Sequence, residues 1–117
     1  MKTRFGILIW LAFSGLLLSS ATAEAQCTIA NCPVGSNIVT SPPYLGTAGV
    51  DCFIGTPNAD VMLGAGGNDL LCGGGGSDTI FGGDGVDTIL GEDGNDNIFG
   101  DGDADTIQGG DCDDTIE

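Results

Sequence analysis

From Gly46 onward, one large apolar residue returns at every ninth position, always two places after an aspartate. In nines the chain reads GTAGVDCFI, GTPNADVML, GAGGNDLLC, GGGGSDTIF, GGDGVDTIL, GEDGNDNIF, GDGDADTIQ and GGDCDDTIE, so eight units fill residues 46–117 without an insertion. Position 1 is glycine throughout, from Gly46 to Gly109. Position 6 is always aspartate: Asp51, Asp60, Asp69, Asp78, Asp87, Asp96, Asp105 and Asp114. Position 8 is always large and apolar: Phe53, Met62, Leu71, Ile80, Ile89, Ile98, Ile107 and Ile116. Self-similarity at a fixed short period marks a stacked repeat architecture.

Each position has a physical task. The glycine-rich hexapeptide reaches left-handed backbone angles that other residues avoid, so it turns tightly and aims its carbonyls inward. The three residues after the aspartate, such as Thr79-Ile80-Phe81, suit a short strand that puts position 8 on one face and positions 7 and 9 on the other. Turn, strand, turn, strand winds a flattened, parallel, all-β coil with two units per circuit, unit k stacking on unit k+2 at about 4.8 Å. The expected interior is two facing ladders, Phe53-Leu71-Ile89-Ile107 and Met62-Ile80-Ile98-Ile116. Such a core is thin for so much ordered, glycine-rich backbone. Stacking also sets like-charged aspartates over one another. The coil needs a source of stability beyond its own side chains.

The residues before Gly46 follow a different pattern. Lys2 and Arg4 precede an apolar run from Phe5 to Leu18, and SSATAEA supplies small residues after it. This reads as an N-terminal secretory signal peptide over residues 1–25, cleaved after Ala25 or Ala23 and too short to span a bilayer; a short membrane anchor is the alternative. Residues 26–45, QCTIANCPVGSNIVTSPPYL, read as an irregular cap or linker, with Pro33, Pro42 and Pro43 breaking any helix.

Charge then narrows the chemistry. Lys2 and Arg4 are the only basic side chains, histidine is absent, and of seventeen carboxylates only Glu24 leaves with the leader. Salt bridges cannot neutralise what is exported, and nucleic-acid binding is excluded on sign. Either the chain stays solvated and unfolded or a multivalent cation comes from solution. Calcium takes six to eight oxygen ligands and accepts backbone carbonyls together with carboxylates, which two stacked glycine turns can offer. Magnesium prefers a smaller octahedron and keeps its waters, while zinc wants histidine or clustered thiolates. Eight turns stacked k on k+2 make up to about six sandwiches, each with an aspartate from either turn.

GGGGSDTIF and GGDGVDTIL resemble the RTX (hemolysin-type) calcium-binding nonapeptide, GGxGxDxUx, and the resemblance spans residues 46–117. It implies a parallel β-roll, a right-handed solenoid with two nonapeptides per turn, which folds on reaching calcium outside the cell. The metal would be held by the eight position-6 aspartates and by turn carbonyls such as those of Gly64, Gly66, Gly73, Gly74, Gly76, Gly82, Gly83, Gly85, Gly91, Gly94 and Gly100. Departures from the motif mark weaker sites: position 2 is Thr47, Thr56, Ala65, Glu92 and Asp101 in five units, and position 4 is Asn58, Asp103 and Cys112 in three. The most regular sandwiches pair Asp69 with Asp87 and Asp78 with Asp96. Glu92, Asp93, Asp101 and Asp103 either add ligand charge or are solvated surface. Many RTX proteins use an uncleaved C-terminal signal, whereas this sequence has an N-terminal one and stops at Glu117 in mid-array. The chain is therefore a truncated reading frame, or it caps by association.

The remaining features are secondary. Five cysteines in an exported chain point to an oxidising compartment. Cys27 and Cys32 are close enough for a small-loop disulfide, with a free or metal-binding pair as the alternative. Cys52 and Cys72 lie two residues out of step on adjacent strands, about 8 Å apart, which is too far to bridge. Cys112 is then the odd thiol. At position 9, Leu63, Phe81 and Phe99 form an outward ladder. It is either a surface for self-association or for a protein or other partner, or ordinary cross-strand packing. Threonine at position 7 is too interrupted for an ice-binding array. No histidine, no lysine after processing and no G-x-S-x-G pattern argue against an enzyme. A calcium-binding module is the leading expectation, with a structural or adhesive element and a fragment of a larger RTX hydrolase or toxin behind it.

Overall fold

The computed structural model describes residues 27–117. The signal-peptide expectation lies on residues 1–25, outside the described residues. Ten strands form, eight of them in the repeats: β1 (Asn37–Val39), β2 (Tyr44–Leu45), β3 (Asp51–Ile54), β4 (Val61–Leu63), β5 (Leu70–Gly75), β6 (Thr79–Gly83), β7 (Thr88–Asp93), β8 (Asn97–Asp101), β9 (Thr106–Asp111) and β10 (Thr115–Ile116). Each repeat strand starts at or just after the position-6 aspartate, where the sequence changes from turn-forming glycine to β-branched and large apolar residues.

Odd and even strands separate into two parallel five-stranded sheets, β1-β3-β5-β7-β9 and β10-β8-β6-β4-β2. Register follows the repeat without slippage: Phe53 faces Leu71, Leu71 faces Ile89 and Ile89 faces Ile107 in one sheet. Met62, Ile80, Ile98 and Ile116 align in the other. Phe53, Met62, Leu71, Ile80, Ile89 and Ile98 are wholly buried between the sheets. Ile107 is partly buried and Ile116 half-exposed, at the last of the described turns. The fold is thus the expected all-β parallel solenoid, about four turns long, with the hydrophobic core one side chain thick on each side.

Residues 27–45 do more than link the chain to the repeats. Strand β1 pairs with β3 and β2 with β4, which adds a rung to each sheet. Val39 stacks over Phe53 and Tyr44 over Met62, so these two residues occupy the position-8 place at the head of each ladder. Pro42 and Pro43 break a helix, as expected, but they directly precede an edge strand, where a missing N–H costs no ladder bond. Tyr44 is 2% exposed and closes the top of the core.

The disulfides also differ from expectation. Cys27 does not join Cys32; the bridges are Cys27–Cys72 and Cys32–Cys52, with Cα separations of 6.0 and 5.6 Å. The cause is the alternation of the strands. Cys52 at position 7 and Cys72 at position 9 point outward from the first sheet, and the arm 27–36, with its short 3-10 turn Ile29–Asn31, crosses that face. Register sets Cys52 against Leu70 and Cys72 against Ile54, so the two repeat cysteines are staggered and each reaches the arm instead of the other. Cys112 is free and exposed. The arm also reaches the sixth repeat, where the Cys27 N–H donates to Glu92 Oε1 at 3.0 Å.

The second sheet has no such cover among the described residues. Leu45, Val61 and Leu63 are exposed on it, and the Phe81 and Phe99 rings stack at 4.9 Å with planes 9° apart. With the core this thin, Ile89→Ala is expected to cost about 2–5 kcal/mol. The check is chemical denaturation in the presence of calcium, and a loss below about 1 kcal/mol would mean that the position-8 ladder is not the core.

Candidate metal centre

The position-6 aspartates stack in two columns, and their carboxylates are tied lengthwise. The N–H of each aspartate donates to Oδ1 of the aspartate eighteen residues later: Asp51 to Asp69, Asp60 to Asp78, Asp69 to Asp87, Asp78 to Asp96 and Asp87 to Asp105, all at 2.8 Å, and Asp96 to Asp114 at 3.0 Å. This bond fixes the side chain so that Oδ2 turns inward over the glycine at position 1 of its own unit. A Cβ built on Gly82, for instance, would lie 2.6 Å from Asp87 Oδ2 and 2.8 Å from the Gly100 carbonyl oxygen of the next coil. Only glycine leaves that space open. The same meeting of an aspartate Oδ2 and a position-1 carbonyl recurs at Gly64, Gly73 and Gly91.

In the middle of the coil these oxygens have nothing to bond. Oδ2 of Asp69, Asp78, Asp87 and Asp96 is enclosed without a hydrogen-bond partner. An unpaired carboxylate oxygen in such a place is costly unless a proton or a cation reaches it. Among the described residues, no three carboxylate or thiolate side chains gather at one point. A bound ion would therefore draw on two stacked aspartates and on main-chain carbonyls, a set made only of oxygen, which suits a hard cation such as calcium.

The eight turns are not alike. In the third, fourth, fifth, sixth and eighth units positions 2 and 4 both have positive φ, and position 2 does so in the seventh. Ala65, Glu92 and Asp101 (φ 78°, 75° and 68°) take the left-handed angle at position 2, as does Cys112 (φ 88°) at position 4, although none is glycine. The turn geometry thus overrides those departures from the motif. The first two units do not adopt it. Their position-2 residues are Thr47 and Thr56, and a β-branched side chain is a poor fit to positive φ. Instead the Thr47 N–H and Oγ1 donate to Asp51 Oδ2 at 2.6 and 2.9 Å. The Thr56 N–H and Oγ1 donate to Asp60 Oδ2 at 2.7 and 2.9 Å. In Asp51 it is Oδ1, at the head of its column, that lacks a partner.

The profile of the RTX calcium-binding nonapeptide repeat matches residues 45–80, 54–89, 73–107 and 90–117 in four overlapping copies. The chain belongs to the RTX calcium-binding repeat family. Comparison with curated proteins and with solved structures finds no match. Membership makes this a calcium-binding repeat module, built on a structural repeat that is not catalytic in itself.

The sequence-based site residues are brought together unevenly. Asp69, Asp78, Asp87 and Asp96 present the orphaned oxygen, Asp51 and Asp60 have theirs occupied by threonine, and Asp105 and Asp114 are part-exposed near the last turns. The carbonyls of Gly64, Gly73, Gly82, Gly91 and Gly100 point at the position-1 glycine of the coil before, whereas Gly83 O already accepts the Gly102 N–H at 3.0 Å. The role of Thr47 and Thr56 escaped the sequence reading, which treated every non-glycine at position 2 alike. Their β-branching was the available signal.

Burial drives the four central carboxyls upward: Asp69 to about 6, Asp78 to about 7, and Asp87 and Asp96 in the same direction. The N–H from the stacked aspartate opposes this and the neighbouring carboxylates add to it. A raised carboxyl stabilises the fold in its protonated form. That contribution is complete below the ordinary value near 4 and disappears as pH rises through 6 to 7. In chelator, β-sheet ellipticity is expected to grow on acidification from pH 8 to pH 5, and with saturating calcium to change little over that range. The same chelator spectrum at both pH values would contradict the assignment.

Proposed function

We propose that this is a secreted module that folds into its β-roll when it meets calcium outside the cell. The observation that carries the reading is the set of four enclosed, unpartnered Oδ2 atoms, on Asp69, Asp78, Asp87 and Asp96. Each of the turns concerned has a left-handed position 2 and 4, an open position-1 glycine and an oxygen-only surround. The sandwiches Asp69/Asp87 and Asp78/Asp96 are the principal sites in this reading, out of up to about six between stacked turns. Bound calcium supplies the positive charge that the chain lacks. The protein's own residues supply the fixed carboxylate, its Oδ1 held by the stacked N–H, and the close approach that glycine permits. A site at tenfold excess over its dissociation constant contributes about 1.4 kcal/mol, so a few coupled sites amount to a large part of a small domain's stability.

Export is supported by the leader of Lys2, Arg4 and the Phe5–Leu18 run, with cleavage proposed after Ala25. Two disulfides also suit an oxidising compartment. A second reading, a structural or adhesive element, is favoured by one observation, the uncovered second sheet with Leu45, Val61 and Leu63 exposed beside the Phe81–Phe99 stack.

Circular dichroism of the exported chain during calcium titration tests the first reading. A cooperative gain of β-structure at roughly 0.1–1 mM calcium is expected, with none in magnesium. Asp78→Asn should raise the midpoint about threefold or more, since it removes charge from a shared site, while Asp84→Asn should leave it in place. No response to calcium, or an equal response to magnesium, would defeat the proposal.

A further inference from the structure

The two kinds of turn divide the coil into parts with different requirements. In the third to sixth turns the inward aspartate oxygen has no donor, and position 2 of the later turns (Ala65, Gly74, Gly83, Glu92, Asp101, Gly110) carries no hydroxyl that could provide one. In the first two turns the same oxygen accepts two hydrogen bonds from one threonine. The threonine oxygen is itself engaged: Gly49 N–H donates to Thr47 Oγ1 at 3.1 Å and Asn58 N–H to Thr56 Oγ1 at 3.2 Å. Each of these turns closes a hydrogen-bonded ring on the Oδ2 of its aspartate, and only Oδ1 of Asp51, at the head of its column, is enclosed without a partner.

Two disulfides and two core residues gather at the same end. The disulfides Cys32–Cys52 and Cys27–Cys72 close loops with sequence separations of 20 and 45 residues, and both anchor the arm to strands at this end of the first sheet. Cross-links of this span stabilise mainly by restricting the unfolded chain, and this restriction acts whether or not metal is present. Cys52 and Cys72 are buried beneath the arm, and Tyr44 and Val39 close the head of the core.

We propose that the first coil, Gly46 to Leu63, together with the arm before it, is a cation-independent folding nucleus on which calcium builds the remaining turns. The inference rests on the calcium reading of the later turns. Thr47 and Thr56 give Oδ2 of Asp51 and Asp60 the partners that Oδ2 of Asp69 to Asp96 obtains only from a proton or a cation. Folding then proceeds in one direction: the disulfide-pinned coil offers β3 and β4 as templates, and each later strand joins as its aspartate pair takes up an ion.

Amide hydrogen exchange on the oxidised exported chain, followed by mass spectrometry in chelator and in calcium, separates the two ideas. In chelator, residues 46–63 should be protected and residues 73–117 should exchange as an open chain; calcium should then protect the second segment. The double variant Thr47→Val, Thr56→Val should lose first-coil protection in chelator by about tenfold or more, because a bond to a charged group is removed in each turn. Thr47→Ser with Thr56→Ser should retain it. Equal exchange throughout residues 46–117 in chelator, fast or slow, overturns the nucleus, as does a valine variant indistinguishable from the parent in that segment. A protected first coil whose neighbours ignore calcium supports the nucleus and overturns the calcium reading alone.

Discussion

A carboxylate oxygen shut inside protein must bond to a donor, a proton or a cation. This constraint governs the whole coil, because the repeat places such an oxygen every nine residues and the chain supplies no side-chain cation after its leader. From Asp69 onward the stacked N–H groups take up one oxygen of each aspartate and leave the other facing a glycine. Architecture and metal requirement therefore share a cause. The parallel stacking that buries the position-8 ladders is the same stacking that encloses the aspartates, and neither can be had without the other.

The chain answers the constraint in two ways. Where position 2 is small or polar and the turn takes left-handed angles, carbonyl and carboxylate oxygens are left converging with no donor among them. Where position 2 is threonine, the backbone cannot adopt that turn cheaply, and a hydroxyl and an amide fill the place of the ion. The substitution of one residue type thus exchanges a metal-dependent turn for a self-satisfied one. The self-satisfied turns lie where the disulfides, Tyr44 and the arm also lie, so metal-independent stability is concentrated at one end of an otherwise repetitive structure.

Most of the architecture was legible in the sequence because a strict period leaves little freedom. With glycine, aspartate and an apolar residue fixed in every unit, the two sheets, their register and the inward ladders follow from strand alternation alone. What escaped reading was aperiodic. Cys27–Cys72 and Cys32–Cys52 depend on where the arm crosses the first sheet, and no spacing in the sequence encodes that path. Strands β1 and β2 lack the glycine and aspartate markers, and the shortened turn between them hides Val39 and Tyr44 from a nine-residue frame. Glu92 was read as ligand or solvated surface, yet it accepts a bond from the arm at Cys27. At the candidate sites the eight aspartates were found as a set. Their division into bonded and orphaned carboxylates required the turn geometry.

The most direct test of the central claim is a crystal structure of the calcium-loaded chain with anomalous difference density collected to locate the ions. Peaks are expected between stacked turns, bonded by the Asp69/Asp87 and Asp78/Asp96 pairs and by glycine carbonyls. Peaks confined to the outer carboxylates Asp84, Asp93 and Asp103, with those buried pairs unbonded to any ion, would contradict it.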